Sequence, residues 1–311
     1  MPLNVSAQSS IGFVGYVQTT IGGAINIVRA TSADIKLSQE INKPEVITGR
    51  FDRILYWPGP RIVEGSVEFP AVDIADFGNI TTRVWNAAVK RTLGSLDEFD
   101  VEIRYTNGVS FKYPKCIANE FTFSVAQQDL INIRFGVIGT DRQPGTLGPA
   151  PSVSGSGGVA GSVTNARVLT WADVDIDIQI TGNSNAIVGG AGKHLRNFEA
   201  TINNNAERVY ALNGELAPIF IVPKVRDITG NFTTLGRFDQ VSEHAASNQD
   251  RCSEDSVITF GYKSCGQAVA FTADIVGVVF EIEEMAITND IFETTVNYHG
   301  LPDESDLVQG L

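Results

Sequence analysis

Three histidines, three cysteines, two glycine-rich turns and a short run of carboxylates are the residues of this chain whose types could do chemistry. His194, His244 and His299 are scattered, and no HExxH spacing brings two imidazoles to one face of a helix. Cys116, Cys252 and Cys265 form no CxxC pair and read as free thiols in a reducing compartment. Cys252 and Cys265 could close a short loop only if the backbone brought them together. "GGAGKH" (189–194) has the Gly-Lys pair of a phosphate loop. However, Ile187 occupies the place of its first glycine, and His194 replaces the Ser or Thr that would hold magnesium. "GSGGVAG" (155–161) approaches a dinucleotide fingerprint but neither follows a strand nor opens a helix. Asp173, Asp175 and Asp177 suit calcium in kind. On a strand they stand about 7 Å apart in a line and cannot wrap an ion, so they read as a solvated strand face. No catalytic residue, metal or cofactor is expected.

With no chemistry to position, the elements themselves carry the information. At 311 residues the chain suits one large domain or two of ordinary size. Its 43% hydrophobic and 19% charged residues are those of a folded protein. A net charge of −13 argues against binding by phosphate neutralisation. No basic residue precedes Arg29, so the charged start of a signal peptide is missing, and synthesis in a cytoplasm is the expectation. "IGFVGYV" and "IGGAINIV" fall far short of the roughly 20 apolar residues of a membrane span.

The pattern is mostly strand. "ADVDIDIQI" (172–180) alternates carboxylates with aliphatics, and "EFTFSV" and "LINIRFGVIG" behave alike in the first half. One stretch, "DFGNITTRVWNAAVKRTL", spaces Phe77, Ile80, Val84 and Ala87 or Ala88 as a helix does, with Asn79 as a candidate cap and Gly94 as its stop. Trp85 on that helix reads as a core anchor. A weaker helical pattern lies at 237–251. Residues 139–166, rich in Gly, Pro and Ser, have no apolar period and read as a linker.

The halves on either side share blocks in the same order. Sliding "YWPGPRIVEGSVEF" (56–69) by 165 positions puts Pro58 on Pro223, Arg61 on Arg226, Gly65 on Gly230 and Val67 on Phe232. A slide of 163 puts Ile35 on Phe198 and Asn42 on Asn205, and one of 161 puts Phe135 on Val296 and Gly139 on Gly300. The expectation is a duplicated β domain: an arm at 1–30, a first domain at 31–143, a linker at 144–165, a second domain at 166–302 and an acidic tail at 303–311.

Residues 197–235, "NFEATINNNAERVYALNG…IVPKVRDITGNFTTL", resemble the tail tube proteins of tailed bacteriophages, in which an Asn-rich turn precedes a strand of the form Pro-x-x-Arg-x-x-x-Gly. Residues 290–300 resemble the closing strand of that family, and residues 35–69, 77–93 and 129–139 repeat the plan. The resemblance implies small β-sandwich or partial-barrel domains, each with a flanking helix or loop. It further implies rings of six domains whose inner strands close a barrel of about 24 strands, stacked into a tube for DNA. A doubled chain then implies three chains per ring, with the tail terminator, baseplate or tip, tape measure and sheath proteins as neighbours. The virion tail is its implied location, with assembly in the host cytoplasm. The resemblance also implies that DNA passes without specific binding. Two readings stay open beside the tube subunit: a tail hub or tube initiator, and a two-domain glycan-binding adhesin.

A physical account supports the tube. Closing such halves into a ring removes their edge strands. About 24 strands spaced ~4.8 Å apart and tilted ~45° give a circumference of roughly 160 Å and a bore near 40 Å, wide enough for duplex DNA. An acidic bore repels DNA and lets it slide. Tyr56, Trp57, Pro58, Gly59 and Pro60, within 51–62, are the candidates for a loop reaching the next ring, since aromatics are enriched at interfaces. Glu64 and Glu68, alternating with Val63, Val67 and Phe69, are the candidate lumen-lining carboxylates.

Overall fold

The structure, a computed structural model, describes residues 14–19, 26–28, 30–42, 57–71, 75–92, 95–105, 109–145, 168–180, 195–212, 214–235, 256–263, 271–288 and 291–302. The pattern at 237–251, the candidate stop Gly94, both glycine-rich turns, Cys252 and Cys265 lie outside them.

The first half contains β1 (Val14–Thr19), β2 (Asn26–Val28), β3 (Ser32–Ala33), β4 (Lys36–Asn42), β5 (Trp57–Pro70), α1 (Ala75–Val89), β6 (Arg91–Thr92), β7 (Ser95–Leu96), β8 (Phe99–Tyr105), β9 (Ser110–Ala126), β10 (Asn132–Gly139) and β11 (Gln143–Pro144). The second half contains β12 (Val174–Ile180), β13 (Leu195–Asn203), β14 (Glu207–Val209), β15 (Phe220–Val222), β16 (Asp227–Leu235), β17 (Ser256–Tyr262), β18 (Phe271–Thr288) and β19 (Ile291–Pro302). Among the described residues, fifteen strands join one sheet and every pairing is antiparallel. The protein is mainly β. Part of the segment expected as an arm is sheet, since β1 pairs with β8. The stretch expected as linker begins inside structure as well: Gly139 closes β10, and β11 pairs with Phe111 and Lys112.

The halves share one strand order. β4, β5, β10, β9, β8 and β1 are successive neighbours in the first. β13, β16, β19, β18, β17 and β12 are successive neighbours in the second. Gly65 and Gly230 hold the same register position, as do Gly139 and Gly300. The 163-residue slide is out by two, because the pairings place Ala33, not Ile35, at the position of Phe198. A two-residue slip leaves every side chain on its own face, so hydrophobic alternation cannot detect it.

β9 and β18 are far longer than ordinary strands because each serves two neighbours in turn. β9 pairs with β8 through Ser110–Cys116 and then with β10, and β18 pairs with β17 and then β19. Each bends between them at a residue of positive φ, Lys115 (50°) and Gly277 (60°), which are equivalent by register. In β9 the bend is a bulge, with Pro114 where no ladder N–H is needed and the Lys115 N–H donating to Asp100 Oδ1 at 3.2 Å. Gly277→Val is expected to cost about 1–3 kcal/mol, because a β-branched side chain resists that conformation. Lys115→Gly is expected to be neutral or stabilising by up to about 1 kcal/mol. The midpoints of urea unfolding check both.

The apolar face of the sheet carries Phe69, Phe121, Phe123, Phe135, Phe198 and Phe232, all at most 2% exposed. α1 covers it with Val84, Trp85, Ala88 and Val89. The helix begins at Ala75, so Asn79 lies inside it and is no cap.

Candidate functional site

The other face of the same sheet is polar across seven adjacent strands. On β5, Glu64, Ser66 and Glu68 alternate with the buried Val63, Val67 and Phe69. The register sets Glu68 beside Arg134 on β10, Arg134 beside Thr122 on β9, and Thr122 beside Thr201 on β13. The row continues through Thr229 on β16 to His299 on β19, and one step along it runs Glu199, Asn231 and Asn297. At the near edge Lys36 of β4 pairs with Glu64. The alternation that sends aromatics to the core therefore builds, with no further requirement, a hydrophilic surface spanning both halves.

Small side chains and crossed charges hold this surface. Thr122 Oγ1 and Thr201 Oγ1 lie 3.1 Å apart, as do Thr233 Oγ1 and Thr295 Oγ1. The Arg134 guanidinium stands 3.3 Å from Glu120 and 3.8 Å from Glu68, and its Nε donates to Ser66 Oγ at 3.3 Å. Arg208 of β14 reaches Glu64 at 2.9 Å. Such half-exposed pairs contribute about 0–1 kcal/mol each. Their role is to set the charge of the surface, on which Glu64, Glu68, Glu120 and Glu199 face Lys36 and Arg134.

The structure separates the other candidates. Trp57, Pro58, Gly59 and Pro60 lie on β5 itself, with Trp57 opposite Asn42, at the end that leads to residues 43–56. Trp57 is 49% exposed. Tyr56 lies outside the described residues. Arg61 pairs with Asp141 at 3.1 Å, and its backbone receives Tyr210 Oη at 2.9 Å, so the excursion between β13 and β16 lies against β5. Arg226 points elsewhere, donating to Asn204 Oδ1 and to the Val89 carbonyl. The two arginines match in sequence but have different partners.

The paired glycines serve one purpose by different contacts. A Cβ on Gly65 (φ +153°) would lie 2.5 Å from Ile35 Cα, and one on Gly230 would overlap the Glu199 carbonyl oxygen and the Tyr298 ring. Each allows a close crossing over which a buried tyrosine reaches the neighbouring strand. Tyr113 Oη donates to the Ile35 carbonyl at 2.8 Å, and Tyr298 Oη donates to the Glu199 carbonyl at 2.8 Å. Burial pushes the Tyr113 hydroxyl up to about 12 and that of Tyr298 well above its ordinary value, so both remain donors.

Asn204 is the residue that sequence reasoning misses. Fully buried in the Asn-rich turn, it donates from Nδ2 to the Ala88 carbonyl at 2.9 Å and the Ala118 carbonyl at 3.0 Å. Its Oδ1 accepts from Arg91 at 3.2 Å and Arg226 at 3.1 Å. One amide thus joins the end of α1, β9 and the entry to β16. The "NNN" run is visible in the sequence, but its tertiary partners are not.

The carboxylate run is split. Asp173 sits in a 3₁₀ turn, Trp171–Asp173, where its Oδ2 accepts from the Thr170 N–H at 3.0 Å; Asp175 pairs with Lys263. Among the described residues, no three His, Cys, Asp or Glu side chains come together to hold a metal, and no helix is long and apolar enough to cross a membrane. Cys116 is a free, buried thiol whose pKa burial pushes up.

A model of the family described as phage tail tube protein matches residues 63–277, more than two thirds of the chain and both of its halves. No curated protein matches.

Proposed function

We propose, on the premise that this chain belongs to the phage tail tube protein family, that it is the repeating subunit of the tube, with three copies forming a pseudo-sixfold ring and rings stacking into a passage for DNA. Membership makes it a structural component of the virion tail that assembles with other tail proteins. The observation that carries the finer reading is the uninterrupted run of β3/β4, β5, β10, β9, β13, β16, β19 and β18. These are eight strands, with β3 and β4 counted as one, and seven of them carry the polar face described above. Three chains would supply about 24 strands, and at ~4.8 Å spacing and ~45° tilt the ring would be wide enough for duplex DNA. Glu64 and Glu68 then line the bore with Glu120 and Glu199, and the excess of carboxylates keeps the polyanion from adhering.

The repeated strand order supports two tandem tube domains sharing one core, spanned by the linker. In the virion the rings would meet the tail terminator, the baseplate or tip, the tape measure and, in a contractile tail, the sheath. Purified protein is expected to form hollow rings and rods in negative stain, with a smallest assembled species of three chains in analytical ultracentrifugation. A monomer at every concentration overturns the reading.

Trp57 is half exposed at one end of β5, which supports a role for it in the contact between rings. Trp57→Ala is expected to cut rod length several-fold while rings and thermal stability persist, since an interface aromatic contributes about 2 kcal/mol or more to association. Rod lengths in negative stain check this, and an unchanged distribution removes Trp57 from the contact.

A further inference from the structure

We infer that the junction between the two halves is the template for the junction between chains, so that β18 of one copy pairs antiparallel with β3/β4 of the next in a defined register. This rests on the tube reading and specifies its interface.

Inside the chain, β9 is flanked on one side by β10 and on the other by β13, through Glu120↔Asn203 to Ala126↔Asn197. β18 is the equivalent of β9, and its Ile282–Thr288 segment pairs with β19. Among the described residues nothing pairs with the other edge of that segment. At the far end of the sheet β3 and β4, equivalent to β13, pair among the described residues only with β5. Among the described residues, the sheet therefore ends in two unpaired edges that correspond, strand for strand, to the two edges already joined in its middle. Exposed edges of this kind invite pairing with another chain.

The register follows from the pairings. Ser124 corresponds to Ala286, since their partners Asn132 and Glu293 are equivalent, and Glu199 corresponds to Asp34. Carrying Ser124↔Glu199 across sets Ala286 opposite Asp34, Met285 opposite Ile35, Ile287 opposite Ala33 and Glu284 opposite Lys36. The residue types agree with the positions. Apolar residues meet at the places held by Phe123↔Ala200 and Val125↔Phe198 in the internal junction. Opposite charges meet where that junction has Thr122 and Thr201, whose hydroxyls lie 3.1 Å apart. Gln39 takes the place of Asn204, again an amide. A slip of one residue in one direction would set Glu284 opposite Ile35, and a slip in the other would leave Lys36 facing Met285; either opposes the alternation.

The test uses the full chain with Cys252 and Cys265 replaced by serine. Ala33→Cys with Ile287→Cys is expected to give covalent trimers on mild oxidation of assembled rings, because directly opposed strand positions meet disulfide geometry. The off-register pair Ala33→Cys with Ala286→Cys should not. Lys36→Glu and Glu284→Lys are each expected to raise the concentration for half-assembly about tenfold by placing like charges opposite one another at every junction of the ring. Their combination should return it to within about twofold of the parent, which also shows that each variant folds. Parent protein that forms rods while both single swaps assemble unchanged, or while the off-register cysteines cross-link equally, overturns the junction and leaves the tube reading standing. Parent protein that forms no rings overturns both.

Discussion

Asn204→Ala is expected to lower the free energy of unfolding by about 3–5 kcal/mol. The side chain is fully buried, and all four of its hydrogen-bonding positions are used, two donated to the carbonyls of Ala88 and Ala118 and two accepted from Arg91 and Arg226. Truncation leaves two carbonyls and part of two guanidinium groups without partners. Each stranded group costs about 1–3 kcal/mol, and water can reach the partly exposed arginines and recover some of this. Asn204→Asp separates the two sides of the network. A carboxylate keeps both arginine contacts with added charge attraction but cannot donate to either carbonyl, so the expected loss is smaller, about 1–3 kcal/mol. Urea unfolding followed by circular dichroism measures both. A loss below about 1 kcal/mol for the alanine variant would show that the amide does not hold the junction.

Trp85→Ala is expected to cost a similar amount, about 3–5 kcal/mol, as large-to-small substitutions of fully packed aromatics do. The indole is 2% exposed and meets Phe121 edge-on at 5.3 Å, Phe260 at 5.5 Å and Phe271 at 6.4 Å. Phe121 belongs to the first half and the other two to the second, so this ring ties the halves together. Its removal is therefore expected to weaken the coupling between them as well as the total stability. A double-mutant cycle with Phe260→Ala should give an interaction energy of about 1 kcal/mol or more, because the two rings share one cavity wall. Additive effects would mean that the halves unfold independently of this contact. Beside Trp85, the contact between Thr81 Oγ1 and Tyr262 Oη at 2.7 Å adds a polar tie between the same two elements, and burial raises the Tyr262 pKa.

Much of the candidate surface is legible in the residues alone. Glu64 and Glu68 fall on one face because Val63, Val67 and Phe69 alternate with them, and β5 keeps that alternation. The helix face of Val84, Ala87 and Ala88 follows from spacing, and all three are buried. Glycines 65 and 230 stand out as a pair, and each lies at a crossing too close for a Cβ. What the pairs do is not legible. Arg61 and Arg226 align, yet one binds Asp141 and the other the Val89 carbonyl and Asn204. The proline-led segment at Trp57 reads as a loop tip, but β4 claims it as strand; before Val63, where β10 no longer accompanies it, β5 has β4 on one side only, and an open edge tolerates prolines that a two-sided strand would not. Lys115 and Gly277 share no chemistry at all, and only the common bend relates them.

By itself the sequence determined the mainly β character, the two-faced strands, the helix and the repeated order of blocks, because hydrophobic alternation and helical spacing act between residues a few positions apart. Only the tertiary structure decided which strands are neighbours, the two-residue correction to the repeat, the union of the halves through β9 and β13, and the partners of Asn204 and Trp85. Those rest on contacts between residues scores of positions apart. A pattern of period two is unchanged by any slip of two, so local alternation leaves them open and close packing of the aromatic core selects one.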